Sequence, residues 1–393
     1  MDFLAAARAL QPQIVEWRRT IHQHPELGFE EEQTAALVAR HLNELGLETQ
    51  TGVGRTGVVA RIEGRSDGSG RRVGIRADMD ALPLQEANDV PYASRVPGKM
   101  HACGHDAHTA MLLAVATLFA RSDEPPPGEI RFLFQPSEER ADAEGISGAT
   151  AMMEDGAIED LDAVIALHVS SENDAGTFRI GSGYQMAAVD SFDARIIGRG
   201  CHGASPHSGL DPFWMLAQII NAIQAIRSRR LDPTAPSVIS LGAVHAGSAH
   251  NVIPNEVDLN GTIRSFDEET RASLHEQLEG ALALTRSFGG NYELQIHSGY
   301  PATYNDPAVA EIARAVAEQT VGEENLRPGK PIMGAEDFSY MTQKAPGAMV
   351  FLGARYDEHS RPHHSPIFDI NEDCLHLGSA VLAETAWRLL AEG

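Results

Sequence analysis

At 393 residues and 42% hydrophobic composition, the chain can bury a large core and exceeds what one core usually holds, so two domains of unequal size are expected. Lys+Arg number 31 against 55 Asp+Glu, a formal net charge of -24, which argues against nucleic acid or an anionic membrane surface as partner. No apolar run reaches membrane-spanning length, no signal-peptide pattern opens the chain, and Cys103, Cys201 and Cys374 are too scattered for a disulfide framework, so a cytoplasmic setting is the expectation.

In chain order, Leu10, Ile14, Trp17 and Ile21 fall at helical spacing and predict a helix over 3–22. A second helix over 33–45 stops at Gly46. Strands then alternate with helices: strands over 57–63, 72–76, 130–135 and 163–168, helices over 109–121 and 148–155. This α/β alternation predicts a mixed or mostly parallel sheet with helices on its faces, whose functional groups gather at the carboxyl ends of strands. From about Ala187 the pattern becomes strand 191–199, helix 212–227, strands 237–244 and 256–265, helix 268–288 and strand 291–298. That order matches a split, ferredoxin-like α+β unit, read as an insertion over 187–299. A helix over 307–320, a strand over 348–352 and a helix over 375–390 complete a discontinuous first domain, 1–186 plus 300–393.

Groups that bind metals or move protons concentrate where strands should end or helices start. In Met100-His101-Ala102-Cys103-Gly104-His105-Asp106-Ala107-His108, a thiol, imidazoles and a carboxylate crowd ahead of an apolar helix. A helix amino terminus stabilises a thiolate, Gly104 lets Cys103 and His105 converge on one ion, and thiolate with imidazole suits zinc or another first-row divalent metal. The apolar run Phe132-Leu133-Phe134 leads through Gln135-Pro136-Ser137 into Glu138 and Glu139. Adjacent residues of an extended chain point opposite ways, so one glutamate can bind metal while the other faces substrate; alone, the pair reads first as an exposed acidic loop. His168 ends an apolar strand, where a lone histidine is more often a hydrogen-bonded core residue than a ligand. His363 and His364 lie in a histidine-rich turn able to fold back in a discontinuous domain. Asp78 and Asp80, two apart at a strand end, share one face, and Asp80 could orient a ligand or the catalytic glutamate from behind.

Together with Arg19-Thr20-Ile21-His22-Gln23-His24-Pro25-Glu26-Leu27-Gly28-Phe29 and Gly334-Ala335-Glu336-Asp337-Phe338-Ser339-Tyr340, these segments resemble the aminoacylase and carboxypeptidase family of dinuclear metallohydrolases, in its hippurate hydrolase and auxin-conjugate amidohydrolase branch. The resemblance covers nearly the whole chain. It implies a phosphorylase/hydrolase-like catalytic domain and an inserted lid and dimerisation domain. It also implies two divalent ions per subunit (Zn, Mn, Co or Ni) on Cys103, His105, Glu139, His168 and His364, with the Cys103 thiolate as bridge and Glu138 as general base. From the insertion it implies a catalytic role for His202, with His207 the second candidate, and substrate carboxylate or oxyanion contacts from Asn251 and Arg264. The implied reaction is hydrolysis of the amide bond of N-acyl amino acids by a homodimer or higher homo-oligomer. A dipeptidase or carboxypeptidase using the same site is the alternative, and a metal-binding protein without turnover a third reading. Two stretches depart from the common pattern: Arg140 to Gly148, which is longer and more acidic, and Ser170 to Asp174, where many relatives carry Trp-Pro. Both bear on substrate choice.

Overall fold

The amphipathic opening segment forms helix α1 (Phe3–His22), whose first turn is capped by Asp2 accepting from the Ala5 amide at 3.0 Å, and whose buried stripe includes Ala7, Ile14, Trp17 and Ile21. Helix α2 (Glu32–Glu44) follows, and the chain leaves it through Gly46 at φ +77°, a left-handed turn that favours glycine. The computed structural model describes residues 2–391 apart from 66, 67 and 69. The chain forms two compact units, one of Met1–Gln185, Tyr304–Lys330 and Asp337–Gly393, the other of Met186–Thr303 and Pro331–Glu336.

The first unit is built on strands β1 (Glu48–Val53), β2 (Gly57–Ile62), β3 (Arg72–Asp78), β4 (Glu129–Gln135), β5 (Ala163–Ser170) and β6 (Phe178–Arg179), joined by two strands from the returning chain, Leu326–Arg327 and Gly347–Gly353. Their order in the eight-stranded sheet is β1, β2, β4, β3, β5, Gly347–Gly353, β6, Leu326–Arg327. The sheet is mixed: β4, β3, β5 and Gly347–Gly353 run parallel, β2 is antiparallel to both its neighbours, and β6 is antiparallel to Gly347–Gly353 but parallel to Leu326–Arg327. Strand β1 had no counterpart in the sequence reading, because its polar Glu48-Thr49-Gln50-Thr51 run lies mostly exposed at the sheet edge and carries no apolar alternation. Helix α3 (His105–Ala120) runs inside this unit with every side chain but its last buried, and helix α4 (Gly148–Glu154) follows β4. One core joins Ile14 and Trp17 of α1 to Leu112 and Val115 of α3, Ile75 and Ile165 of the sheet, and Val381 and Leu389 of the last helix, Leu375–Ala391.

The second unit carries a four-stranded antiparallel sheet in the order Ser237–His245, Glu256–Ser265, Ala188–Ile197, Asn291–Ser298. Helices Pro212–Arg229 and Glu268–Ser287 pack on it around Ile196, Ile219, Ile223, Val257, Leu274 and Leu278.

Candidate metal centre

Strands β4, β3 and β5 are parallel neighbours, so their carboxyl ends share one edge of the sheet, where the chain turns away and side chains are free to converge on a ligand. Asp78 ends β3, Glu138 and Glu139 follow β4, and His168 stands near the end of β5. Helix α3 starts at His105, four residues earlier than its apolar periodicity implies, bringing the thiol-imidazole motif to the same edge. Gly104, at φ +93°, makes that turn; a Cβ there would lie 2.3 Å from Val169 Cγ2. His364 arrives from the far end of the chain in the left-handed region (φ +60°), held by its amide donating to Ala102 O at 2.8 Å.

The donor atoms form two overlapping groups, Cys103 with His105 and His168, and Cys103 with Glu139 and His364, the atoms of each within 4.8 Å of one another. His168 Nδ1 donates to Val169 O at 2.7 Å, which turns Nε2 toward Cys103 Sγ, 3.5 Å away. Asp80, 1% exposed, accepts from His105 Nδ1 at 3.1 Å through one oxygen and from the Glu139 amide at 3.0 Å through the other. That leaves His105 Nε2 buried and without a hydrogen bond, 3.9 Å from Glu139 Oε1. His364 Nε2 stands 3.1 Å from the same Glu139 oxygen. Orphaned buried groups of this kind are rare and costly, and an imidazole aimed by a carboxylate with its other nitrogen free is the usual arrangement behind a metal. A thiol, three imidazoles and a carboxylate fit a first-row divalent ion.

Glu138 lies beside this set, grouped with His105 and Glu139 and 6% exposed, with Oε1 accepting from the Asp337 amide at 3.4 Å. The preceding Ser137 sits at φ +42°, its amide bound to Glu31 Oε1 at 2.8 Å; such backbone is held only where surrounding contacts over-determine it.

The electrostatics correct one expectation. A helix amino terminus was expected to favour the Cys103 thiolate. Burial, followed by the Glu139 and Glu138 carboxylates, instead pushes the thiol well above its ordinary value. Burial disfavours the His105 cation, yet Asp78 and Asp80 together push its pKa up to about 10. Burial and the charge on Asp80 raise Glu31 to about 7.

Asp78, His108, Arg76 and Asp337 had no role from sequence, although Asp78, His108 and Asp337 stand inside the quoted motifs. His108 Nδ1 lies 2.6 Å from Asp78 Oδ1, and its Nε2 accepts from the Val169 amide at 2.9 Å. It thus ties the start of α3 to the strand end that carries His168. Arg76 reaches Asp78 at 2.6 Å and Asp337 at 2.9 Å.

The remaining sequence candidates lie in the second unit. His202 and Asn251 are neighbours: Cys201–His202 pairs with Val252–Ile253, and the Gly203 amide donates to Asn251 O at 2.8 Å. His202 is exposed, with Nδ1 accepting from the Ala204 amide at 3.0 Å. His207 is exposed in the short turn Pro206–Ser208. Arg264 lies half-buried on Glu256–Ser265, where burial lowers its pKa despite Asp190 nearby.

Comparison with known proteins places this geometry. Residues 74–388 match the model of peptidase family M20/M25/M40. Thermostable carboxypeptidase 2 of Saccharolobus solfataricus is 40% identical over 378 residues, 95% of this chain and 94% of that protein. The N-acyl-L-amino acid amidohydrolase of Geobacillus stearothermophilus is 44% identical over 293 residues, 74% of this chain and 78% of its own. A dinuclear metal-binding peptidase of family M20 from Bacillus subtilis superposes with a TM-score of 0.83 at 32% identity, covering 97% of this chain and 99% of that one. The chain belongs to peptidase family M20/M25/M40.

Proposed function

We propose that this protein hydrolyses the amide bond of N-acyl amino acids, releasing a carboxylic acid and a free amino acid, with two divalent ions held by Cys103, His105, Glu139, His168 and His364. The observation that carries it is the pair of donor groups sharing Cys103, with the Glu138 carboxylate beside them. The amidohydrolase and peptidase relatives support the same reading.

Ions held there supply a Lewis acid for the amide carbonyl and lower the pKa of water to near neutral. Glu138 then takes the proton of the attacking water and delivers it to the leaving nitrogen, for which its position next to, but outside, the donor groups sharing Cys103 suits it. Asp80 fixes the His105 tautomer and the Glu139 backbone from behind. By resemblance His202 stabilises the developing oxyanion, a contribution of about 3 kcal/mol in sites of this type; Asn251 and Arg264 hold the substrate carboxylate, with His207 the second imidazole candidate. The inserted unit is assigned as a ferredoxin-like lid and dimerisation module, for which its strand order and two-helix layer are the support.

Glu138→Gln should retain both ions by elemental analysis and lose turnover by about 10²–10⁴-fold; retained turnover would sink the assignment. The carboxypeptidase relative favours peptides as a second substrate class. N-acetyl, N-benzoyl and indole-acetyl amino acids assayed against dipeptides, after reconstitution with Zn, Mn, Co or Ni, separate the two.

A further inference from the structure

Arg179 stands in an unusual electrostatic position. Strand register puts His168 of β5, Phe351 of Gly347–Gly353 and Arg179 of β6 directly opposite one another, so the three side chains share one face of the sheet in a single row. At about 4.8 Å between strands, the Arg179 backbone lies about 10 Å from that of His168. The guanidinium carbon stacks 3.7 Å from the centre of the Phe351 ring, whose centre is 6.2 Å from that of the His168 ring. Nη1 donates to Lys330 O at 2.7 Å, which with the stacking fixes the plane of the fork and leaves the other donors available.

What Arg179 lacks is a carboxylate. Arg179 is half-buried, and the arginines buried more deeply are paired: Arg18 with Asp106, Asp369 and Glu372, Arg76 with Asp78 and Asp337, Arg131 with Glu129, and Arg271 with Asp190. Among the described residues Arg179 has no such partner, in a chain with 55 acidic side chains against 31 basic. Burial alone acts on it and lowers its pKa to about 10. Arg264, assigned by resemblance to the substrate carboxylate, is likewise lowered by burial. A partly desolvated cation without an anion is a cost that a bound carboxylate removes.

We infer that Arg179 is a specificity-determining residue that binds a second carboxylate of the substrate, carried on an arm of two or more methylenes. The α-carboxylate lies only about 3–4 Å from the scissile carbon, whereas Arg179 stands beyond Phe351 in the row that starts at His168. The arm belongs either to the amino-acid side chain or to the acyl group, and the chemistry recognised is the same. The inference deepens the proposed function and rests on it.

The test uses metal-loaded Glu138→Gln protein, whose expected loss of turnover lets binding be read separately, with calorimetric titration of four ligands. N-acetyl-L-glutamate against N-acetyl-L-glutamine probes the amino-acid arm, and N-succinyl-L-alanine against its succinamoyl analogue probes the acyl arm. In one pair the acid should bind at least about tenfold tighter than the amide. Arg179→Met should abolish that preference while leaving the amide's affinity unchanged, and Arg179→Lys should restore part of it, which a merely structural role would not do. Equal binding of acid and amide in both pairs, or a preference that survives Arg179→Met, overturns the inference while leaving the function standing. Failure of all four ligands to bind overturns both.

Discussion

Removing the Asp80 carboxylate tests whether the metal centre is aimed from behind. Asp80→Ala takes away the acceptors of His105 Nδ1 and the Glu139 amide, at 3.1 and 3.0 Å, in a site where Asp80 is 1% exposed. Water has little access to either donor, so each is left unsatisfied at about 1–3 kcal/mol. One of them also loses the bond that selects its tautomer. Part of this cost appears in the metal-free protein as lower stability and part as weaker metal binding, since loss of such an outer contact typically costs about 10–100-fold in affinity. Competition against a chelator of known affinity should therefore show metal Kd rising by about 10–100-fold. Asp80→Asn should fall between, because its amide oxygen can serve one donor while its NH2 faces the other. An Asp80→Ala protein with unchanged metal affinity and turnover would refute the reasoning, because among the described residues nothing else accepts from those two groups.

In the second unit, Asp190 is 1% exposed and accepts from Arg271, His275 and the Gly299 amide. Burial would raise its pKa, but the Arg271 contacts prevail and hold it below the ordinary carboxylate range. Its folded value thus lies under the unfolded value of about 3.9, so its contribution is complete above that pH and lost as pH falls through the folded value. Asp190→Asn should lower stability by about 3 kcal/mol at pH 7 in urea unfolding, with the gap to wild type narrowing as pH falls below about 3.9; a pH-independent gap would contradict the assignment. Gly104→Ala forces an L side chain to φ +93° and a Cβ to 2.3 Å from Val169 Cγ2; metal content by elemental analysis should fall, and normal content would count against a tight turn at that point. His108→Phe keeps a ring but removes the link from Asp78 to the Val169 amide, and should weaken metal binding about tenfold with kcat falling on any substrate tested.

The helices with an apolar stripe were legible almost to the residue, as for α1, because their period reports a face that meets a core. Helix α3 was legible in existence but not in its start. Buried on nearly all sides, it offers no periodicity in its first turn, and its cap is the left-handed Gly104 without a side-chain hydrogen bond. The candidate ligands were legible because thiol, imidazole and carboxylate crowd in short motifs. The groups that aim them were not: Arg76 finds Asp337 261 residues away and Arg18 finds Asp369 351 residues away, separations that leave no local pattern. Arg179 gave no signal at all, since its meaning lies in the register of three strands and in the carboxylate partner it lacks among the described residues.

Donors drawn from positions 103 to 364 must be brought to within a few ångströms, and sheet pairing alone secures only His168 on β5 and, through the turn that follows β4, Glu139. The His364 loop has no strand of its own, so something else must fix it. Arg18, fully buried, does so from α1: Nε binds Asp106 at 2.8 Å in the first turn of α3, Nη2 binds Asp369 at 3.2 Å just beyond His364, and Nη1 binds Glu372 at 3.1 Å. His22, one turn along α1, meets the same Asp106 oxygen at 2.7 Å. Tyr92 donates to the other Asp369 oxygen at 2.8 Å and lies under the Arg18 guanidinium. A buried cation with three acids is poor evidence of net stability, because desolvation offsets much of the attraction. Its value is geometric: the fork admits one arrangement of the Cys103–His105 turn relative to the His364 loop and penalises the others by a buried unpaired charge. This explains why the Arg19-Thr20-Ile21-His22 stretch, which supplies no candidate ligand, belongs to the same sequence signature as the residues that do.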